Sequence, residues 1–111
     1  MADLFVYGTL QDESLRTRLL GRRVRVLPAR LRGFAVRAVR DADYPALVPA
    51  RGGVVTGLLL AGLDSGDLAR LDRYEGGEYR RVPVRAEVGG RFRPAWVYLW
   101  CDRRSRLGGT P

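Results

Sequence analysis

No histidine, lysine, asparagine or isoleucine occurs in this 111-residue sequence, and there is one cysteine, Cys101. Without imidazole, proton transfer near neutral pH falls to a carboxylate, to Cys101, to a tyrosine or to a backbone group. A lone cysteine cannot close an internal disulfide, and with no histidine or second cysteine there is no zinc-type ligand set. Redox and metal chemistry are therefore not expected. No stretch approaches the ~20 apolar residues of a helical membrane span. The opening MADLFVYGTL has neither the basic region nor the small-residue cleavage site of a secretory signal. The expectation is a soluble, cytoplasmic protein without a membrane partner.

The missing lysine also changes how the formal charge of +8 reads, because all 20 basic residues are arginine. Such a charge would suit nucleic acid or an acidic partner. Uniform arginine, spread from Arg16 to Arg106 and often alternating with apolar residues, reads instead as coding bias expressed on the solvated face of strands. A non-catalytic basic module that binds nucleic acid or acidic partners is the alternative to a pocket-bearing protein.

The length suits one domain with its own core. Residues 3–7 read as a short apolar strand, and the following loop ends where Asp12 or Ser14 can cap a helix carrying Leu15, Leu19 and Leu20 and stopping at Gly21. From Val24 to Val39 apolar and basic residues alternate, with breaks at Pro28 and Gly33, as in strands with one buried face. The stretch DADYPALVPARGG reads as a loop with an apolar centre. Val54 to Leu63 is an almost unbroken apolar run interrupted by Gly57, expected to be a strand buried on both sides or a strand of a closed barrel. A second helix is expected from about Ser65, capped by Asp64, Ser65 or Asp67 and stopped by Gly76-Gly77. Tyr79–Val88 and Arg91–Trp100 alternate as strands joined by a Gly89-Gly90 hairpin, with Pro83 marking an edge or a bulge. The expected fold is α+β, a small mixed β-barrel of about six strands with two or so flanking helices. It should occupy residues 1–100, with 101–111 a flexible tail.

Three places could carry chemistry. Tyr7-Gly8-Thr9-Leu10 is a strand end running into a glycine turn, whose successive amides could converge on an anion or carbonyl oxygen; it could equally be a plain turn filling core. Glu75 shares a helical stripe with Leu68 and Leu71, so its carboxylate either faces an interior cleft, where desolvation would raise its pKa, or pairs with an arginine in the last turn. Asp72 borders the stripe and could cap or partner Arg80 or Arg81. The aromatic set Tyr44, Tyr74, Tyr79, Trp96, Tyr98 and Trp100 could line a pocket or fill core.

Taken in order, YGTL at residues 7–10, Tyr44-Pro45-Ala46, Leu71-Asp72-x-Tyr74-Glu75-Gly76, Tyr79-x-Arg81 and Ala95-Trp96-Val97-Tyr98 resemble the gamma-glutamylcyclotransferase-like family, closest to its short gamma-glutamylamine cyclotransferase members. The resemblance implies a barrel flanked by helices, with a cavity walled by the YGTL loop and served by one essential glutamate. Glu75 matches that glutamate, and Tyr7, Gly8, Thr9 and Leu10 match the loop whose amides hold the substrate's glutamyl group. Tyr44, Tyr79 and Tyr98 are assigned to the pocket lining. The implied reaction needs no cofactor and no metal: a small γ-glutamyl amide or amine conjugate closes to 5-oxoproline and releases its amine, Glu75 serving as base and then acid. The same pocket could instead remove a γ-glutamyl protecting group in a biosynthetic pathway.

Overall fold

Asp12 starts the first helix: its carboxylate accepts a hydrogen bond from the Ser14 N–H, α1 runs Glu13–Leu20, and Gly21 ends it. These are features of a computed structural model that describes residues 1–38 and 45–100. The expectations placed on Tyr44, Cys101 and the 101–111 tail lie outside the described residues. The second helix, α2 (Ser65–Glu75), begins with a reciprocal capping box in which the Asp64 and Asp67 side chains each accept from the other's backbone N–H. Asp67 is buried and also accepts from Arg22, which ties the end of α1 to the start of α2.

Among the described residues five strands make up the sheet, where about six were expected: β1 (Ala2–Val6), β2 (Arg25–Ala38), β3 (Pro45–Leu63), β4 (Tyr79–Val88) and β5 (Arg91–Trp100). They close into a barrel in the order β1-β3-β2-β4-β5. Every junction is antiparallel except β1 with β5, which pair in parallel at Leu4↔Trp96 and Phe5↔Val97.

Two expectations are corrected here. Pro28 and Gly33 do not divide β2, because its ladder to β3 runs from Arg25↔Ala61 to Ala38↔Pro45 with a single irregularity near Gly33. The stretch expected to be a loop from Pro45 onward is the first part of β3. Ala46, Leu47, Val48 and Pro49 pair with Arg37, Val36, Ala35 and Phe34, and the extra residues Ala50 to Gly53 bulge out between the two parts of the ladder. Turn-forming residues there accommodate a bulge within a strand rather than ending it.

Pro83 marks neither the edge nor the bulge expected of it: β4 lies between β2 and β5 in the closed order and pairs with β5 through Pro83↔Trp96 without a register shift. β4 pairs along its length with β5 but meets β2 in register only at Glu87↔Arg30, so around Pro83 there is no ladder to β2 for a proline to interrupt.

Strand alternation divides most of the apolar residues between two cores, with Ala46 and Trp100 forming a smaller cluster of their own. Phe5, Leu31, Leu47, Val55, Leu59, Ala86 and Val97 fill the barrel. Leu4, Val6, Leu60, Leu63 and Tyr98 join Leu10, Leu20 and Leu71 in the layer beneath the helices. Leu59 and Leu60, adjacent in sequence and both fully buried, show why Val54–Leu63 is apolar throughout: one neighbour faces inward and the next faces the helices. Each such side chain contributes roughly 1.5–3 kcal/mol on burial.

Candidate active site

The parallel β1–β5 pairing brings the ends of both strands to one mouth of the barrel, and the antiparallel pair Tyr79↔Trp100 brings the start of β4 there too. α2 ends at the same place. Gly76 adopts φ 87°, a conformation that suits glycine, and the Tyr79 N–H donates to its carbonyl as the chain turns straight into β4. A cavity of about 310 Å³ opens among these ends.

Seven of the eight residues assigned to the site through the family resemblance line it: Tyr7, Gly8, Thr9, Leu10, Glu75, Tyr79 and Tyr98. Tyr44, the eighth, is outside the described residues. Tyr74, one of the aromatic residues that could have lined a pocket or filled core, lines it as well, and so do Val6 and Glu78, which were not assigned to it from sequence. The signal for Val6 and Glu78 is positional: each sits next to an assigned residue, Tyr7 and Tyr79.

Gly8 opens a 3-10 turn over Thr9–Gln11 in which the Gln11 N–H donates to the Gly8 carbonyl and the Asp12 N–H to the Thr9 carbonyl, each at 3.0 Å. The N–H groups of Thr9 and Leu10 precede these donors and have no acceptor within the turn. β1 runs into this turn across Gly57, where a Cβ would stand 2.3 Å from the Val6 carbonyl oxygen. Only glycine permits that crossing.

Glu75 makes no hydrogen bond or ion pair among the described residues, so the surface-pairing alternative is not what the structure shows. Burial against the cavity wall pushes its carboxyl from 4.5 up to about 7. The tyrosines beside it respond in the same sense. Burial first, then the charges of Tyr79 and Glu75, raise the Tyr7 hydroxyl, which donates to the Tyr98 carbonyl at 2.8 Å. Burial, followed by its hydrogen bond to Asp72, raises the Tyr98 hydroxyl. Both hydroxyls keep their protons near neutral pH and act as donors.

Asp72 anchors the helix end. Arg81 donates to it through Nε at 2.9 Å and through a terminal nitrogen at 3.2 Å, and the Tyr98 hydroxyl donates at 2.6 Å. Burial opposes ionisation of Asp72, but these hydrogen bonds and the Arg81 charge outweigh it and hold the carboxyl below its ordinary range. The Arg81 guanidinium also stacks 4.4 Å from the Trp96 ring centre. Asp72 therefore takes Arg81, of the two partners its sequence position allowed, and fastens the last turn of α2 to β4 and β5. On the far rim, Thr9 Oγ1 and the Tyr74 hydroxyl lie 2.8 Å apart and link the glycine turn to the helix end.

A small closed barrel with a desolvated carboxylate and a glycine turn on one apolar cavity is the architecture of a small-molecule site. Residues 4–110 match the family described as gamma-glutamyl cyclotransferase, AIG2-like, and the chain belongs to that family. It is 39% identical over 103 residues to AIG2-like protein A of Arabidopsis thaliana, covering 91% of this chain and 62% of that protein. AIG2-like protein B of Arabidopsis thaliana is 35% identical over 111 residues, with coverages of 96% and 64%. The chain thus spans a little over three fifths of these curated relatives. The solution structure of At5g39720.1 from Arabidopsis thaliana superposes with a TM-score of 0.83 at 30% identity, covering 99% of this chain and 75% of that one. A structure named gamma-glutamyl cyclotransferase superposes at 0.76 with 17% identity, covering 90% and 66%, a likeness of fold alone.

Proposed function

We propose that the protein is a cofactor-free cyclotransferase that closes a γ-glutamyl amide or amine conjugate to 5-oxoproline and releases the amine. One observation carries this reading: the Glu75 carboxyl and the glycine turn Gly8–Leu10 face the same cavity. A γ-glutamyl amide supplies its own nucleophile, since the α-amine can reach the γ-carbonyl and form a five-membered ring. Because the attack is intramolecular, most of the translational and rotational entropy is already prepaid, and on that count the protein has only to hold the substrate in its folded, attacking conformation. What remains for the protein is to move protons and to hold charge.

Glu75, poised near neutrality, takes one proton from the α-ammonium. The amine attacks the γ-carbon, and the negative oxygen of the tetrahedral intermediate is held by N–H groups of the Gly8–Leu10 turn. Glu75 returns its proton to the departing nitrogen as the old carbon–nitrogen bond breaks. The second ammonium proton leaves the ring nitrogen as the lactam forms and ends on the released amine, so the protons balance.

The test is direct. γ-Glutamyl-ε-lysine and a panel of γ-glutamyl dipeptides are incubated with the protein, and 5-oxoproline is quantified. Product that depends on Glu75 is expected; no product from any of them refutes the reading.

A further inference from the structure

Arg16 carries a positive charge into the protein interior: it is only 6% exposed, and among the described residues no carboxylate accompanies it. Its partners are two backbone carbonyls. One guanidinium nitrogen donates to the Leu10 oxygen at 3.0 Å and to the Gln11 oxygen at 2.7 Å. Burying a charge is costly unless something compensates it, and two neutral carbonyls could be capped as well by a neutral donor.

What lies beyond those carbonyls gives the charge a use. The peptide unit whose oxygen is Leu10's carries the Gln11 N–H, which donates to the Gly8 carbonyl; that peptide unit in turn carries the Thr9 N–H. The unit whose oxygen is Gln11's carries the Asp12 N–H, which donates to the Thr9 carbonyl, and that unit carries the Leu10 N–H. Two parallel chains of hydrogen bonds therefore begin on one guanidinium and end on the two amides that have no acceptor within the turn. Gln11 Nε2 adds a longer contact of 3.4 Å to the Gly8 carbonyl, in the same polarising sense. Hydrogen bonds in series strengthen one another, and a charged donor at the head of the series is stronger than a neutral one.

We propose that Arg16 is a positioning and polarising residue for the cavity. It fixes the Gly8–Gln11 turn and, through the two peptide chains, makes the Thr9 and Leu10 amides stronger donors to an anionic oxygen of the ligand. This rests on the cyclotransferase reading for the identity of that oxygen, but the electrostatics do not depend on turnover. Arg16 touches no substrate and does its work through backbone.

The test compares Arg16→Lys and Arg16→Gln with the wild type in three measurements: thermal midpoint, kcat and KM on γ-glutamyl-ε-lysine, and the amide proton shifts of Thr9 and Leu10 on titration with 5-oxoproline. Removing a whole oxyanion donor costs ~100- to 1,000-fold in kcat. Weakening two donors without removing either should lower kcat for Arg16→Gln by about 10-fold, with KM changed less. The Thr9 and Leu10 protons should move upfield in Arg16→Gln, and Arg16→Lys should recover most of both effects. Wild-type kcat and unchanged amide shifts in a folded Arg16→Gln overturn the proposal. If Arg16→Gln does not fold, Arg16→Lys and the wild-type titration decide: a wild-type complex in which the Thr9 and Leu10 amides stay unshifted overturns it. A wild type that binds 5-oxoproline at those amides but forms no product would instead count against the cyclotransferase reading alone.

Discussion

Replacing Glu75 with glutamine should cut turnover steeply and, at alkaline pH, stabilise the protein. The carboxyl sits at about 7 in the folded state against an ordinary 4.5, the result of burial. Because the folded value lies above the unfolded one, the folded protein holds an extra proton between those two values, and its stability falls as pH rises through that window. Above about pH 7 the whole cost is present; below 4.5 both states are protonated and it vanishes. At ~1.4 kcal/mol per pH unit the cost is on the order of 3 kcal/mol at most, and ~1–2 kcal/mol once solvent reaching the open cavity is allowed for. Glutamine keeps the shape and carries no charge, so Glu75→Gln should melt higher at pH 8 by about 4–8 °C. At pH 4 the two proteins should melt together. Turnover should fall by at least about 100-fold, the usual worth of a general base, while wild-type kcat/KM rises with pH toward a plateau above about 7. Differential scanning calorimetry at the two pH values, beside a 5-oxoproline assay, gives both readings. A thermal offset that does not change with pH would show that Glu75 is not desolvated, and retained turnover would remove it from the chemistry.

Asp72→Asn should weaken the bidentate grip of Arg81 on the helix end, costing ~1 kcal/mol because the pair is partly exposed. It should lower kcat more than KM, checked by urea unfolding and steady-state kinetics. Since Asp72 is held below its ordinary range, its stabilisation is present above that range and is lost as pH falls through the folded value, so wild type and Asp72→Asn should converge in acid. Gly57→Val must push away the Val6 carbonyl and the Phe5 ring, which should cost about 1–3 kcal/mol or more in the urea midpoint. Tyr74→Phe removes a hydroxyl that is exposed and bonded to Thr9, so the thermal midpoint should stay within ~0.5 kcal/mol of wild type while KM for the conjugate rises.

Local chemistry made much of this fold legible in the sequence. Both helices begin and end where an aspartate and a glycine demand it, and Tyr79–Val88 and Arg91–Trp100 stand as strands at the expected bounds because period-two alternation and Gly89-Gly90 agree. The beginning of β3 reads as a loop in sequence because prolines and glycines signal turns locally, whereas a long partner strand can pair across a bulge; that is decided by β2, not by residues 45–53. The site shows the same division. Glu75 stood out by helical phase and the YGTL turn by its glycine, but neither sequence feature says that they meet. Arg16 was one more arginine among 20. Its role depends on a fold of the backbone that puts two carbonyls within reach of its side chain, and nothing in its neighbours announces that.

The parallel pairing of β1 with β5 has a consequence for how the protein comes into being. The strand that leads into the glycine turn is held on one side by the strand that ends at Trp100, and the Tyr7 hydroxyl reaches a carbonyl 91 positions away. Both walls of the cavity are thus drawn from opposite ends of the described chain. A nascent polypeptide still lacking β5 has no ring to close and no cavity, however complete its helices. Acquisition of the native ring and acquisition of the site should be a single late event, on the millisecond-to-second scale of folds built from distant pairings. A chain truncated before Ala95 should then be inert rather than partly active.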